Sequence, residues 1–119
     1  MWMAKKLRET RKASAAERGT VSIGGELSAV LADGEIRNLI AAAPGGYVWR
    51  PRGGEQVLVL KGEERCILAQ IPEEETTDLA PGEVCIRSGG GAVITLRNDG
   101  RIDLAGAVFV NGKAVKTEE

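Results

Sequence analysis

Histidine is absent from this chain, and its aromatic side chains amount to two Trp, one Tyr and one Phe. Without imidazole there is no Ser-His or Cys-His nucleophile pair, and the commonest zinc ligand is missing. Neither Gly-x-Ser-x-Gly nor Gly-x-x-x-x-Gly-Lys-Ser/Thr occurs. The expectation is a protein that is not an enzyme, with no catalytic residues, no cofactor and no bound metal. Paired carboxylates remain as candidates for acid–base work, and those present gather in residues 72–83 and at the C-terminal end. Cysteine is scarce too: Cys66 and Cys85 form no Cys-x-x-Cys motif, and each reads as a small buried thiol. No apolar run approaches a membrane span, and no leader-like apolar stretch is present. A soluble protein made in the cytoplasm is expected. With a pI near 5.6 and no groove of interleaved basic and aromatic residues, nucleic acid is not expected as a partner.

Glycine, by contrast, is plentiful at 16 of 119 residues, which suits short strands and tight turns. Charge is unevenly spread. Lys5, Lys6, Arg8, Arg11, Lys12 and Arg18 outnumber Glu9 and Glu17 at the start, so the remainder is acidic. Residues 1–17 form a basic segment of helix formers without Pro or Gly. It reads either as a solvated helix or arm, or as a docking segment for an acidic partner. Lys5, Lys6, Arg8, Arg11 and Lys12 are the docking candidates.

Residues 18–72 change character. "RGTVSI" opens a strand, and two alternating runs flank Asp33-Gly34, a hairpin signal because both residues tolerate positive φ. A loop thick with Pro and Gly holds a short aromatic strand from Tyr47 to Trp49, and a second hairpin turns at Lys61-Gly62. A small closed barrel is the economical way to bury such strands without leaving open edges. Residues 73–81 then read as an acidic linker. Glu73, Glu74, Glu75 and Asp78 match no EF-hand spacing, so a solvated connector is the better reading than a calcium site.

Residues 82–115 repeat with a period of eight. Ile86, Ile94, Ile102 and Val110 are equivalent, as are Leu96 and Leu104. Gly82, Gly90, Asn98 and Gly106 fall at turns, with Gly100 and Gly112 beside them; Asn is the residue after Gly that best tolerates a left-handed turn. In "GGAVITLRNDGRIDLAGAVFVNG", Ile94, Leu96, Ile102, Leu104, Val108 and Val110 point one way, while Thr95, Arg97, Arg101 and Asp103 point the other. One octad reaches only about 26 Å at roughly 3.3 Å per residue, too short to encircle a core. The apolar face therefore needs a cover. Other copies of the chain are the simplest one: strands of three chains about a common axis enclose a prism whose core is Val84, Ile86, Ile94, Leu96, Ile102, Leu104, Val108 and Val110. Residues 116–119 are a polar tail.

"RPRGGEQVLVLKG" followed by "LAPGEVCIRSGGGAVITLRNDGRIDLAGAVFVNG" resembles the central spike of contractile phage tails, the baseplate assembly protein V family with its Mu-like members. Type VI secretion valine-glycine repeat spikes are related. The resemblance covers about residues 18–115. It implies an all-β chain: an N-terminal OB-like barrel, then an intertwined triple-stranded β-helix in a homotrimer. It also implies a structural role in the virion baseplate, where a needle helps penetrate the host envelope. The tail hub, for which the basic N-terminal segment is the docking candidate, and other baseplate proteins would be its partners. Several such spikes end in an iron-binding histidine cluster that this chain lacks, so its tip either closes without metal or takes a separate capping protein. The competing readings are an OB-fold protein binding nucleic acid or oligosaccharide, and a self-assembling β-solenoid scaffold.

Overall fold

The computed structural model describes residues 15–72 and 78–118. All regular structure among them is β, in ten strands. Two compact units divide between Glu74 and Glu75. Lys5, Lys6, Arg8, Arg11 and Lys12 lie outside the described residues, as do Glu73, Glu74 and Glu75 of the acidic stretch.

The first unit is a five-stranded sheet of β1 (Ala16–Ile23), β2 (Ser28–Ala32), β3 (Gly34–Leu39), β4 (Gln56–Leu60) and β5 (Cys66–Ile71). Its order is β3-β2-β1-β4-β5, and every neighbouring pair is antiparallel. Alternation decides the faces: Val57 and Val59 on β4 and Val21 on β1 turn inward, where they meet Val30, Leu39 and Ile67 in one core. Gly19 shares that inner face. A Cβ there would collide with Val30 Cγ1 and lie 2.9 Å from the Leu31 carbonyl oxygen, so the β1–β2 crossing is closer than any side chain permits. Both hairpins form. Gly34 supplies a left-handed residue (φ 101°) at the first, and the second spans Lys61 to Arg65 with Gly62 left-handed (φ 115°).

The sheet's two outer strands approach each other. Just past β3, Ala41 bridges Ile67 of β5 in parallel; Ile67 N–H donates to Ile40 O and Ala42 N–H to Ile67 O, both at 2.8 Å.

Two details differ from the sequence reading. β1 begins at Ala16, inside the segment expected to be helix-prone, because Ala16 and Glu17 pair with Leu60 and Val59; tertiary pairing overrides a weak local preference. Tyr47 to Trp49 form no strand. Pro44 to Tyr47 close a turn (Tyr47 N–H to Pro44 O, 3.0 Å), and Trp49 serves as a plug, packing on the core while its indole N–H donates to Ala42 O at 2.8 Å.

The second unit holds β6 (Val84–Arg87), β7 (Val93–Leu96) and β8 (Ile102–Ala105) in an antiparallel meander, and a separate ribbon of β9 (Phe109–Val110) and β10 (Lys113–Ala114). Its turns depart from the expected residues. Gly82 (φ 94°), Gly100 (φ 88°), Gly106 (φ 129°) and Gly112 (φ 79°) are left-handed, but Gly90 and Asn98 are not; Gly91 (φ 95°) takes that role after β6. The reason is geometric: β7 and β8 each reverse direction to pair with the strand before, so the left-handed residue falls where a hairpin needs it. Asn111 (φ 48°) and Gly112 together make the two-residue turn of the final ribbon.

Candidate functional site

The feature of the second unit with the most to say about function is one face of its meander. The pairing sets Ile86 opposite Ile94 and Ile94 opposite Leu104, and sets Val84 opposite Leu96 and Leu96 opposite Ile102. Directly opposed residues share a face, so the six form two continuous apolar rows across three strands. All six are open to solvent, from 40% exposed at Leu96 to 63% at Ile102. Six half-exposed aliphatic side chains in one array make an apolar patch on the order of 500 Å², at the upper end for a monomeric surface. Every buried hydrophobic side chain among the described residues belongs to the first unit; the second has no apolar core of its own.

The ribbon continues the pattern in part. Val108 is half-buried and precedes β9, its carbonyl accepting from Val115 N–H at 2.8 Å; Val110, opposite Lys113, is 57% exposed. Phe109 lies on the ribbon's other side, 62% exposed.

The opposite face of the meander carries charge, and its centre is closed. Thr95, opposed by Cys85 on one side and Asp103 on the other, is only 7% exposed. The polar alternation there marks a packed position rather than a solvated one. Cys85, whose Sγ lies 3.9 Å from Thr95 Oγ1, is half-buried, and so is Cys66; neither is the fully buried thiol expected, because both sit on short sheets' outer strands.

Beside Thr95 lies an ionic clasp that sequence reasoning missed. Glu83 Oε1 accepts from Ala80 N–H (3.0 Å) and Arg97 Nη1 (3.1 Å), while Oε2 accepts from Asn98 N–H (3.0 Å). Arg97 also donates to Asp103 Oδ2 (3.2 Å) and the Asp78 carbonyl (2.9 Å), and Arg101 Nε reaches Asp103 Oδ1 at 2.8 Å. Asn98 closes the link from its side chain, donating to Pro81 O at 2.9 Å. The left-handed Gly82 lies under that amide, where a Cβ would sit 2.9 Å from Asn98 Oδ1. The chain leading into β6 is thereby tied to the β7–β8 turn. Amide donors from Ala80 and Asn98, then Arg97, hold the Glu83 carboxyl below the usual carboxylate range. Arg97 and then Arg101 do the same to Asp103, while Asp103 and Glu83 push Arg97 upward.

The structure thus brings six of the eight expected core residues, Val84, Ile86, Ile94, Leu96, Ile102 and Leu104, onto one face, and leaves Val108 and Val110 on a separate ribbon. Comparison with protein-family models and with curated proteins finds no match for this chain.

Proposed function

We propose that this protein is a structural, self-associating component: the central spike of a contractile phage tail or a related injection device, its first unit an OB-like barrel and its second units joining in three copies into a needle. One observation carries the reading, the six-residue apolar face left open on a sheet that has no core of its own. Ordering a short meander in water is unfavourable unless its apolar face is covered, and two rows of aliphatic side chains match the same rows of another copy in polarity. The barrel part of the reading draws on the five-stranded order and the parallel bridge from Ala41 to Ile67, which brings the two outer strands together. The resemblance of residues 18–115 to baseplate assembly protein V spikes supplies the setting: the virion baseplate, with the tail hub and other baseplate proteins as partners and a tip that either closes without metal or takes a separate capping protein.

Native mass spectrometry tests the proposal. Three copies are expected for the wild type. Ile102→Asp places a carboxylate in the apolar array, where an unpaired charge costs several kcal/mol once covered, and should yield monomer or aggregate. A monomeric wild type at micromolar concentration, or an Ile102→Asp assembly as stable as wild type, would mean the needle is wrong.

A further inference from the structure

The meander has two open edges, and the phase of its ladder fixes how they can be used. Ser88 N–H donates to Ala92 O at 3.0 Å and Arg97 N–H to Arg101 O at 2.9 Å, each continuing the register of β6–β7 and β7–β8. In an antiparallel ladder, hydrogen-bonded pairs alternate with unbonded ones. Bonded pairs are therefore 84/96 and 86/94 on one side of β7, and 93/105 and 95/103 on the other. It follows that the backbone groups of Ile102 and Leu104 face outward on the β8 edge, and those of Cys85 and Arg87 face outward on the β6 edge.

Ile102 and Leu104 carry their side chains on the apolar face, whereas Cys85 and Arg87 carry theirs on the charged one. Suppose the β8 edge of one copy met the β6 edge of another in antiparallel fashion. Outward-facing residues would stand directly opposite, and opposed residues share a face. The apolar face of one copy would then continue into the charged face of the next. In a parallel pairing a residue bonds instead to the two neighbours of the residue it faces. Ile102 would bond to Cys85 and Arg87 while facing Ile86, and the apolar faces stay in line.

Resting on the self-association proposed above, we infer that copies join head to tail, β8 of one running parallel to β6 of the next, with Ile102 beside Ile86 and Asp103 beside Arg87 of the neighbouring copy. Charge chooses among the registers that keep the faces aligned. The register two residues to the other side of the in-line one sets Asp103 against Glu83 of the neighbour, like against like. The chosen one sets Asp103 against Arg87, which is exposed and has no ion pair among those formed by the described residues. Its offset from the in-line arrangement accumulates in one sense around the ring, as strand stagger in a closed sheet requires. Parallel pairing preserves strand direction from copy to copy, as rotation about a single axis does, so the arrangement is compatible with a closed ring. For three copies it gives nine strands and no free edge.

An oxidative cross-link tests the seam. In a full-length background with Cys66→Ser and Cys85→Ser, cysteines replace Arg87 and Asp103. Within one chain these positions are separated by β7, two strand spacings or about 10 Å, beyond the reach of a disulfide; any bond formed joins two copies. The expected result is a covalent series on a denaturing gel that ends at three copies, with neither single-cysteine variant linking. Dimers from Asp103→Cys alone would instead mean two β8 edges pairing about a two-fold axis, and would overturn the inference. A native trimer in which the double variant forms no link would also overturn it, while leaving self-association standing. A monomeric wild type would remove both. Arg87→Glu gives a second measurement that spares the clasp: the trimer should dissociate at a concentration at least tenfold higher than wild type, and an unchanged dissociation would count against the Asp103–Arg87 contact.

Discussion

Glu83 engages three donors with two oxygens, and its partners lie 3 residues before it and 14–15 residues after it. Its carboxylate and that of Asp103 are held in the charged form, so the folded state binds fewer protons than the unfolded one in the acid range. The sign follows: both groups contribute stability above the ordinary carboxylate pKa of about 4, and that contribution fades as the pH falls through their lowered folded values. The melting temperature of the protein should drop as the pH is lowered from about 5. Glu83→Gln, which keeps the side-chain shape but not the charge, should lower stability at neutral pH and flatten that acid dependence. An unchanged pH slope in the Gln variant would show that the clasp is not what responds. None of this clasp could be read from the sequence, because only the strand register brings Glu83 to Arg97 and Asn98. The same blindness applied to Thr95, which alternation assigned to a solvated face. Its burial comes from neighbours on adjacent strands, and a pattern read along one strand does not report them.

Between neighbouring strands the governing distances are those of backbone approach. β1 and β2 pass closely because Gly19 offers no side chain to Val30 and the Leu31 carbonyl. Gly19→Ala should therefore destabilise the first unit by about 1–3 kcal/mol through overpacking, measured by denaturant unfolding; a loss below about 0.5 kcal/mol would mean the crossing relaxes freely. At this scale the sequence was most informative where a local rule suffices. Asp33-Gly34 and Lys61-Gly62 marked real hairpins, and period-two alternation placed the six apolar residues of the meander on one face. It misled where a partner decides the outcome. Tyr47 to Trp49 have strand-forming side chains but no sheet edge to join, and Ala16 and Glu17 are helix formers captured by β4. Asn111-Gly112 was a legible hairpin turn, obscured by reading the octad spacing through to its end.

For the molecule as a whole, the two units stand on unequal terms. The first encloses Val21, Val30, Leu39, Val57, Val59 and Ile67 in a core of its own, whereas the second buries no large apolar side chain among the described residues. Residues 15–74 produced alone should fold cooperatively at any concentration, as seen in a two-state melt. Residues 75–119 alone should show strand signal by circular dichroism that rises with concentration, since their order depends on association. Concentration-independent structure in that second fragment would show that a single copy suffices, against the proposed assembly.

The alternation of strand direction from β6 to β8 has a consequence for how such a chain can grow. In the proposed ring, one further strand paired to β8 would run opposite to it, so the outermost strand would no longer match the direction of β6 in the neighbouring copy. A pair of strands returns the outer strand to its original direction and leaves both the apolar rows and the junction intact. The girth of such a ring is therefore open to change only in double steps: two more strands per copy keep the same closure in a wider ring, and one more strand per copy would need a different junction.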